Sequence, residues 1–285
     1  MKLAIGTITS HDFPVPNVFW DAFITLRSRL DRGEVNQGLP PAQRIDNINW
    51  IRSHQFPTDQ ARNEICAAAL KVEADYLLFL DCDMVHPPDL IERLLAIRQP
   101  VVTARYHIKK PPFAACVFME DRVTPGPHVY RTVHFGRGVF EIHACGAGAL
   151  LIRRDVLQTL YERGGHNWFR YQRGLNPPHD FSISEDMWFC EQVRAAGYAI
   201  WCDWDLMCGH VGQQIIDGHW NDSYVMKQAQ DMLALPTMER AVIAKRTIVR
   251  GIPEGIDYPS GDHVAEYVPT SAPHLVERGP LVRVN

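Results

Sequence analysis

The chain lacks long apolar runs and lacks an excess of positive charge. None of its 285 residues fall in a run that approaches the roughly 18 to 20 apolar residues of a membrane-spanning helix. Lysine and arginine number 29 against 33 aspartates and glutamates, which gives a formal net charge of −4. Proteins that bind long nucleic acids or anionic membranes usually carry a basic surface, and this composition has none. We therefore expect no membrane span, no nucleic-acid partner by default and a cytoplasmic location.

Cysteine occurs seven times, an odd number, and no two cysteines form a C-x-x-C pair. This pattern argues against a disulfide framework and against a structural zinc site. Free, mostly buried thiols in a reducing cytoplasm are expected instead. The opening residues, MKLAIGTITSHDFPVP, have too short and too polar an apolar run for a signal peptide, and they predict a first β-strand.

Apolar strand-like segments alternate with amphipathic helical segments through the first half of the chain. The segment YLLFL, residues 76–80, is continuously apolar, which is typical of a strand covered on both faces. Apolar spacing predicts helices over 16–33, 57–74 and 87–98. It also predicts strands over 2–8 and 100–106. Residues 34–57 are predicted to form a loop with a short strand near 48–52. This order predicts an α/β fold with a mostly parallel central sheet flanked by helices. In such sheets, ligands bind beyond the carboxyl ends of the strands.

The pattern changes near residue 112. Residues 112–150 break into short strands separated by glycine and proline, which predicts a short antiparallel addition to the main sheet. The remaining segments are predicted as helices over 153–165, 184–198 and 223–248, a strand within 199–212, and a proline-rich irregular stretch over 251–285.

Two aspartates, Asp81 and Asp83, directly follow the apolar strand 76–80. Carboxylates in apolar surroundings are costly unless a positive partner meets them. A divalent cation, which prefers oxygen ligands, is one such partner, and it would in turn hold a nucleotide diphosphate. The alternative is an ordinary strand end with solvated or helix-capping acids.

Two further short motifs carry groups suited to chemistry. Glu185 and Asp186 follow Ser184 at the start of a predicted helix, where the helix dipole favours acids for structural reasons alone. One of them could instead be a general base, with Trp188 beside it helping to set its proton affinity. His210 lies in the segment CGHVG at a strand end; it is either a structural histidine or, with the aspartates, part of a Mn²⁺ or Mg²⁺ site.

These motifs together resemble a known family. The segment QARNEICAAALKVEADYLLFLDCDMVHPPDLIERLL is similar to the core of family 2-type glycosyltransferases with the GT-A fold. The segments CGAGALLIRRDVL, SEDMWFCEQVRAAGY and GHVG resemble that family's glycine-rich strand, its Glu-Asp helix and a late histidine motif, in the expected order. The resemblance spans about residues 1–215. It implies a catalytic domain over 1–220, with a nucleotide-sugar half at 1–110 and an acceptor half at 111–220, followed by a C-terminal helix and extension over 221–285.

The resemblance also implies roles for individual residues. Asp83, Asp81 and His210 would surround a Mn²⁺ or Mg²⁺ ion, and Asp186, with Glu185 beside it, would be the base of an inverting transfer. The donor, a UDP- or GDP-linked sugar, would be contacted by Thr7, Thr9, Arg62, Asn63, Asp81, Gly146, Gly148 and Trp188. Trp168 and Trp204 could stack on a sugar or belong to the core. The acceptor is open, and a modified nucleobase stays among the candidates. The segment TSHDFPVPNVFW departs from the polar Tyr-Asn turn that is usual after the family's first strand.

Two rival functions use the same residues. Asp81 to Val85 also matches the Asp-x-Asp-x-Thr/Val loop of magnesium-dependent haloacid-dehalogenase-type phosphatases, in which the first aspartate is the nucleophile. That loop normally follows the first strand, whereas two strand-helix units precede it here. Such enzymes also need a lysine, and Lys109 and Lys110, which adjoin a proline pair, do not suggest one. The other rival is a non-catalytic protein that binds nucleotide sugars.

Overall fold

A seven-stranded sheet forms the centre of the protein in the computed structural model, which describes residues 1–9, 15–54, 57–121, 130–172, 183–212, 215–234 and 281–282. In spatial order its strands are β2 (Asn47–Ser53), β1 (Lys2–Ile8), β3 (Tyr76–Leu80), β10 (Ala149–Arg153), β5 (Val101–Arg105), β11 (Ile200–Met207) and β8 (Val139–Ile142). β1 pairs in parallel with β2 and β3, and β11 pairs in parallel with β5, whereas β10 and β8 run antiparallel to their neighbours. The predicted α/β fold with a mostly parallel central sheet is confirmed.

Helices flank this sheet. They are α1 (Asn17–Asp31), α2 (Glu34–Gln37), α3 (Thr58–Lys71), α4 (Leu90–Ala96), α5 (Arg154–Gly164), α6 (Glu185–Ala195) and α7 (Gly218–Ala234), with a 3₁₀ turn at Pro41–Gln43. α7 starts before the predicted residue 223, and the predicted remainder from 235 onward lies outside the described residues except for 281–282. No helix of the described ranges combines the length and the apolar character needed to cross a membrane.

Two small antiparallel sheets complete the fold. One contains β13 (Ile215–Ile216), β12 (Gly209–Val211) and β4 (Met84–Val85), and the other contains β14 (Leu281–Val282), β7 (Tyr130–Thr132), β6 (Val117–Glu120) and β9 (Ala144–Cys145). Of the antiparallel addition predicted within 112–150, β6, β7 and β9 lie in the second small sheet, whereas β8 joins the edge of the main sheet.

β10 and β2 differ from the sequence prediction. β10 lies in the main sheet between β3 and β5, because its segment ALLI is apolar on both faces and residues 149–152 are at most 2% exposed. β2, expected as a short strand within a loop, is a seven-residue edge strand paired along its whole length with β1. β3 matches its prediction, since residues 77–80 are at most 1% exposed. Its carboxyl end therefore emerges from the centre of the molecule.

Candidate functional site

The small sheet of β4, β12 and β13 brings Asp83 and His210 together. β4 follows Asp83 directly, and in the antiparallel pairing of β4 with β12 His210 lies opposite Met84. The Val211 N–H donates to the backbone oxygen of Asp83 at 2.7 Å. As a result the Asp83 Oδ2 and His210 Nε2 atoms lie 3.4 Å apart, although the two residues are distant in the sequence.

The two ring nitrogens of His210 have different partners. His210 Nδ1 lies 2.7 Å from the backbone oxygen of His107, an acceptor, so Nδ1 carries the proton. In the neutral ring Nε2 is then an acceptor, and it faces a carboxylate oxygen that is also an acceptor. Two acceptors at this distance need either a proton on Nε2 or a cation between them. One carboxylate oxygen and one imidazole nitrogen can bind Mn²⁺ or Mg²⁺ when oxygens of a ligand complete the coordination, so the residues present fit the divalent cation that the resemblance implies.

Lys109 also contacts Asp83, with its ammonium on the same Oδ2 atom at 2.5 Å. The turn after β5 carries the Lys109 side chain to this position, a contact that the sequence does not suggest. Burial raises the pKa of Asp83, but hydrogen bonds from His210 and Lys109 outweigh this and hold the pKa below its usual range. Asp83 is thus an anion with a cation already beside it.

Asp81 faces away from this pair and binds Arg62 on α3. The guanidinium donates two hydrogen bonds, Nη1 to Oδ1 at 3.1 Å and Nη2 to Oδ2 at 2.9 Å. Among the described residues, no three His, Cys, Asp or Glu side chains converge as a metal site. Of the three predicted metal ligands, the structure brings Asp83 and His210 together, whereas Asp81 is paired with Arg62. The same bidentate contact leaves Asp81 badly placed as a phosphatase nucleophile.

Arg62 connects the strand end to the start of α6. Its side chain is 4% exposed, and its Nε lies 3.5 Å from Glu185 Oε1. The rings of Phe79 and Phe169 lie under the guanidinium, 5.2 and 5.7 Å from it. Burial lowers the pKa of Arg62, but the charges of Asp81 and Glu185 outweigh it and raise the pKa. Arg62 thus belongs to a largely buried network of one cation and two carboxylates, and its contact with a nucleotide sugar stays a prediction.

Glu185 and Asp186 occupy the first turn of α6. Burial and the charge of Asp186 raise the pKa of Glu185 to about 7, although Arg62 opposes the shift. Burial also raises the pKa of Asp186. Asp186 Oδ1 accepts hydrogen bonds from the Ser184 hydroxyl and from the Met187 N–H, the latter at 2.8 Å. These bonds fix the carboxylate and leave Oδ2 as its other acceptor, a geometry that suits a general base.

The raised pKa of Glu185 predicts a pH-dependent stability. An unfolded glutamate titrates near 4.5, so between about pH 4.5 and pH 7 the folded protein binds more protons at Glu185 than the unfolded chain. Stability therefore falls as pH rises through this window. Glu185→Gln has no carboxyl group to titrate at this position. The difference in the free energy of unfolding between this variant and wild type should therefore shift in favour of the variant by on the order of 2 kcal/mol from pH 5 to pH 8.

Urea denaturation at both pH values measures this difference. Glu141→Gln, on an exposed position of β8, controls for the loss of one negative charge. A difference between Glu185→Gln and wild type that stays constant across the window would mean that Glu185 is ionised throughout.

Gly146 and Gly148 lie against Tyr106, not against open space. A Cβ atom at Gly146 would lie 1.8 Å from the Tyr106 Oη and 3.4 Å from Asp186 Oδ2. The Gly148 N–H donates to the same Oη at 3.4 Å, and the ring edge of Tyr106 faces His210 at 5.5 Å. The contact of these glycines with a donor, which the resemblance implies, stays a prediction. In the structure the glycines let a buried phenol stand between the Asp83–His210 pair and Asp186.

Three further predicted binding residues are Thr7 and Thr9, at the end of the first strand, and Asn63, on α3. Thr7 and Thr9 are buried at the carboxyl end of β1, the same edge of the sheet as Asp81, and Thr9 Oγ1 lies 2.9 Å from His54 Nδ1. The Asn63 amide hydrogen-bonds the backbone of Phe169 through both its nitrogen and its oxygen, at 2.8 and 2.9 Å. These contacts give Asn63 a structural role.

The three tryptophans considered as sugar-stacking or binding residues differ in their exposure. Trp168 and Trp204 are core residues, 1% and 5% exposed, so neither presents a face to a sugar. Trp188, on α6, is half-buried with Arg170 over its ring at 5.7 Å, and its buried Nε1 has no hydrogen-bond partner within the described part of the chain. Of the three, Trp188 retains a polar group that a ligand could satisfy.

Sequence reasoning missed Tyr106 and Lys109. Both follow β5 (Val101–Arg105), a strand parallel to β11, so both emerge at the edge of the sheet where ligands bind. The rule that singled out Asp81 and Asp83 after β3 applies equally to the residues after β5. Tyr106 was overlooked because its aromatic side chain continues the apolar pattern of the strand.

Comparison with known proteins gives structural likeness only. No known protein family and no curated protein matches the sequence. Similar solved structures include A197 from STIV, with a TM-score of 0.46, 16% identity and coverage of 74% of this chain and 86% of that one. The catalytic domain of Drosophila β1,4-galactosyltransferase 7, in complex with xylobiose, has a TM-score of 0.39, 17% identity and coverage of 76% and 70%. Mannose-1-phosphate geranyltransferase from Thermus thermophilus has a TM-score of 0.33, 16% identity and coverage of 58% and 62%.

These likenesses are too distant to carry an argument about activity, since all three TM-scores are below 0.5. The side chains of the site indicate its chemistry. One edge of the sheet holds a carboxylate–imidazole pair suited to a cation, and Tyr106 lies between that pair and a fixed carboxylate with a raised pKa. Such a site can bind an anionic leaving group through a cation and accept a proton from a nucleophile.

Proposed function

We propose that this protein is a metal-dependent glycosyltransferase. It moves a sugar from a nucleoside-diphosphate sugar, UDP- or GDP-linked, to an acceptor hydroxyl, and inverts the anomeric centre with Asp186 as the general base. The observation that carries the proposal is the Asp83–His210 pair. His210 Nε2 lies 3.4 Å from Asp83 Oδ2, and the Nδ1 atom of the same ring is held by the His107 backbone oxygen. The motif resemblance supports the choice of substrate class, and the α/β fold is compatible with it.

Each residue has a defined task in this proposal. Asp83 and His210 would hold Mn²⁺ or Mg²⁺, which supplies neutralisation of the negative charge that develops on the diphosphate. Asp186 Oδ2 takes the proton of the acceptor hydroxyl as that oxygen bonds to the anomeric carbon. The bond from the anomeric carbon to the diphosphate oxygen breaks, and its electron pair leaves with the nucleoside diphosphate. Ser184 and the Met187 N–H hold Asp186 Oδ1, so the base stays oriented.

Burial of Asp186 serves this role directly. A carboxylate with an ordinary pKa is a weak base, and burial raises the pKa of Asp186 toward the working pH. The neighbouring Arg62 guanidinium lies against both Asp81 and Glu185 and so compensates part of their charge. In this proposal the cation would bind at Asp83 and His210, and the acceptor's proton would be taken at a different place, Asp186.

The experiment that tests the proposal combines a donor panel with one substitution. UDP- and GDP-linked sugars with Mn²⁺ are screened by thermal shift for binding and by release of nucleoside diphosphate for turnover. Donor hydrolysis, in which water replaces the acceptor, makes the assay independent of the acceptor's identity. Phosphate release with Mg²⁺ in the absence of any nucleotide sugar would favour the phosphatase instead. Binding without hydrolysis or transfer would favour a non-catalytic protein.

Asp186→Asn should lower turnover of the donor found in this panel by about 100-fold or more, because the amide cannot accept the proton. Donor affinity should change by less than about threefold, since Asp186 acts in the chemical step. Asp155→Asn is the matched control: Asp155 is the second residue of α5, as Asp186 is of α6, and it lies outside the site. Wild-type turnover in Asp186→Asn would refute the base and leave a retaining mechanism without a protein base.

A further inference from the structure

Lys109 occupies the position beside Asp83 that a bound cation would need. Its ammonium lies 2.5 Å from Asp83 Oδ2, the atom that also lies 3.4 Å from His210 Nε2. A divalent ion bonded to this oxygen would place two cations next to each other, and the two would repel even though the Lys109 and Asp83 side chains are 34% and 39% exposed. The ammonium and the metal ion therefore compete for Asp83.

The backbone that carries Lys109 is fixed, so the exchange concerns its side chain. The turn after β5 is closed by hydrogen bonds from the Ile108 N–H to the Ala114 oxygen and from the Phe113 N–H to the Lys110 oxygen, at 2.9 and 2.8 Å. Asn221 on α7 donates to the Pro112 oxygen at 2.8 Å. The Lys109 side chain itself is 34% exposed and rotates about a flexible four-carbon stem. It can leave Asp83 without any rearrangement of the turn.

We propose that Lys109 exchanges partners during donor binding. Before the donor binds, the Lys109 ammonium neutralises Asp83 and occupies the cation site. Once Asp83 holds a metal ion, the Lys109 side chain would bind the diphosphate of the donor instead. The displaced ammonium remains tethered at the carboxyl edge of the sheet, next to a ligand that carries several negative oxygens, and lysine is a common phosphate-binding side chain. This inference rests on the proposed function, and it names a diphosphate-binding residue that the sequence motifs do not include.

The exchange predicts effects of opposite sign on two ligands. Lys109→Met keeps the aliphatic stem and removes the charge, so Mn²⁺ alone should bind about 3- to 10-fold more tightly, because no ammonium competes for Asp83. Inorganic pyrophosphate, added as a diphosphate probe in saturating Mn²⁺, should bind about 3- to 10-fold more weakly, because its counter-charge is lost. A side chain with a merely structural role would weaken both ligands or neither.

Mn²⁺ binding is measured by electron paramagnetic resonance of the free ion, and pyrophosphate binding by isothermal titration calorimetry. Lys110→Met is the matched control, an adjacent exposed lysine expected to leave both affinities near wild type. Lys109→Gln serves as a second neutral variant, so that a defect peculiar to methionine cannot decide the result. Lys109→Arg should resemble wild type more than either neutral variant, because it retains the charge.

The outcomes separate the inference from the proposed function. Mn²⁺ binding that is lost in Asp83→Asn but unchanged or weaker in Lys109→Met overturns the exchange and leaves the metal site intact. Tighter Mn²⁺ binding with unchanged pyrophosphate binding also overturns it, since Lys109 then never reaches the diphosphate. If the folded wild-type protein and all lysine variants bind no Mn²⁺, the metal-dependent function fails together with the exchange.

Discussion

Asp83→Asn is expected to abolish measurable Mn²⁺ binding and to lower donor turnover by about 100-fold or more. Substitution of a residue that only hydrogen-bonds to a metal ligand already costs about 10- to 100-fold, and Asp83 would be a ligand itself. Asparagine has nearly the same size and keeps a carbonyl oxygen for Lys109, so the fold should survive. What is lost is the negative charge that would hold a divalent cation against His210. Calorimetric Mn²⁺ titration and nucleoside-diphosphate release measure the two effects.

The control for this variant is Asp89→Asn. Asp89 lies at the start of α4 with a half-exposed side chain, so its loss changes the net charge equally without touching the Asp83–His210 pair. It should leave Mn²⁺ affinity and turnover close to wild type. Undiminished Mn²⁺ binding in Asp83→Asn would place the cation elsewhere and remove the central observation behind the proposed function.

Arg62→Met is expected to destabilise the protein by about 3 to 5 kcal/mol, the range found when one partner of a buried ion pair is removed. The reason is that Glu185, whose side chain is 9% exposed, and Asp81, whose side chain is 25% exposed, would both lose their cation. Both carboxylates would escape part of this cost by binding protons. The destabilisation should therefore be smaller at pH 5 than at pH 8, which urea denaturation at the two pH values tests.

Arg153→Met is a control matched in geometry. Arg153 also makes two hydrogen bonds to one carboxylate, that of Asp155, at 2.6 and 2.7 Å, but the two side chains are 36% and 48% exposed. Water can solvate Asp155 once the arginine is gone, so the expected cost is below about 1 kcal/mol. Equal costs for the two variants would show that the Arg62 network is solvated.

The arrangement of helices and strands was largely predictable from local pattern. The unbroken apolar run 76–80 indicated a strand buried on both faces, and β3 is such a strand. β10 shows that strand pairing cannot be predicted from local pattern. Its segment ALLI has the same character, but periodicity does not reveal which neighbours a strand pairs with, and β10 joins the main sheet antiparallel between β3 and β5.

Partners of the site residues were less predictable than their positions. Asp81 and Asp83 are chemically identical and two positions apart, yet Asp81 meets Arg62 while Asp83 meets Lys109 and His210. Alternation along an extended chain sends side chains i and i+2 to the same face only while the strand continues, and β3 ends at Leu80. No sequence pattern states how the chain turns after that residue.

Short segments of the chain were enough to place acids at the carboxyl end of a buried strand and at the start of α6, because apolar runs and helix starts are local properties of neighbouring residues. Folding of the whole chain settles which of those acids arginine neutralises, which face an imidazole and a lysine, and where Tyr106 stands. These contacts join residues far apart in the chain, and they depend on strand order and on burial from water, which no short segment encodes.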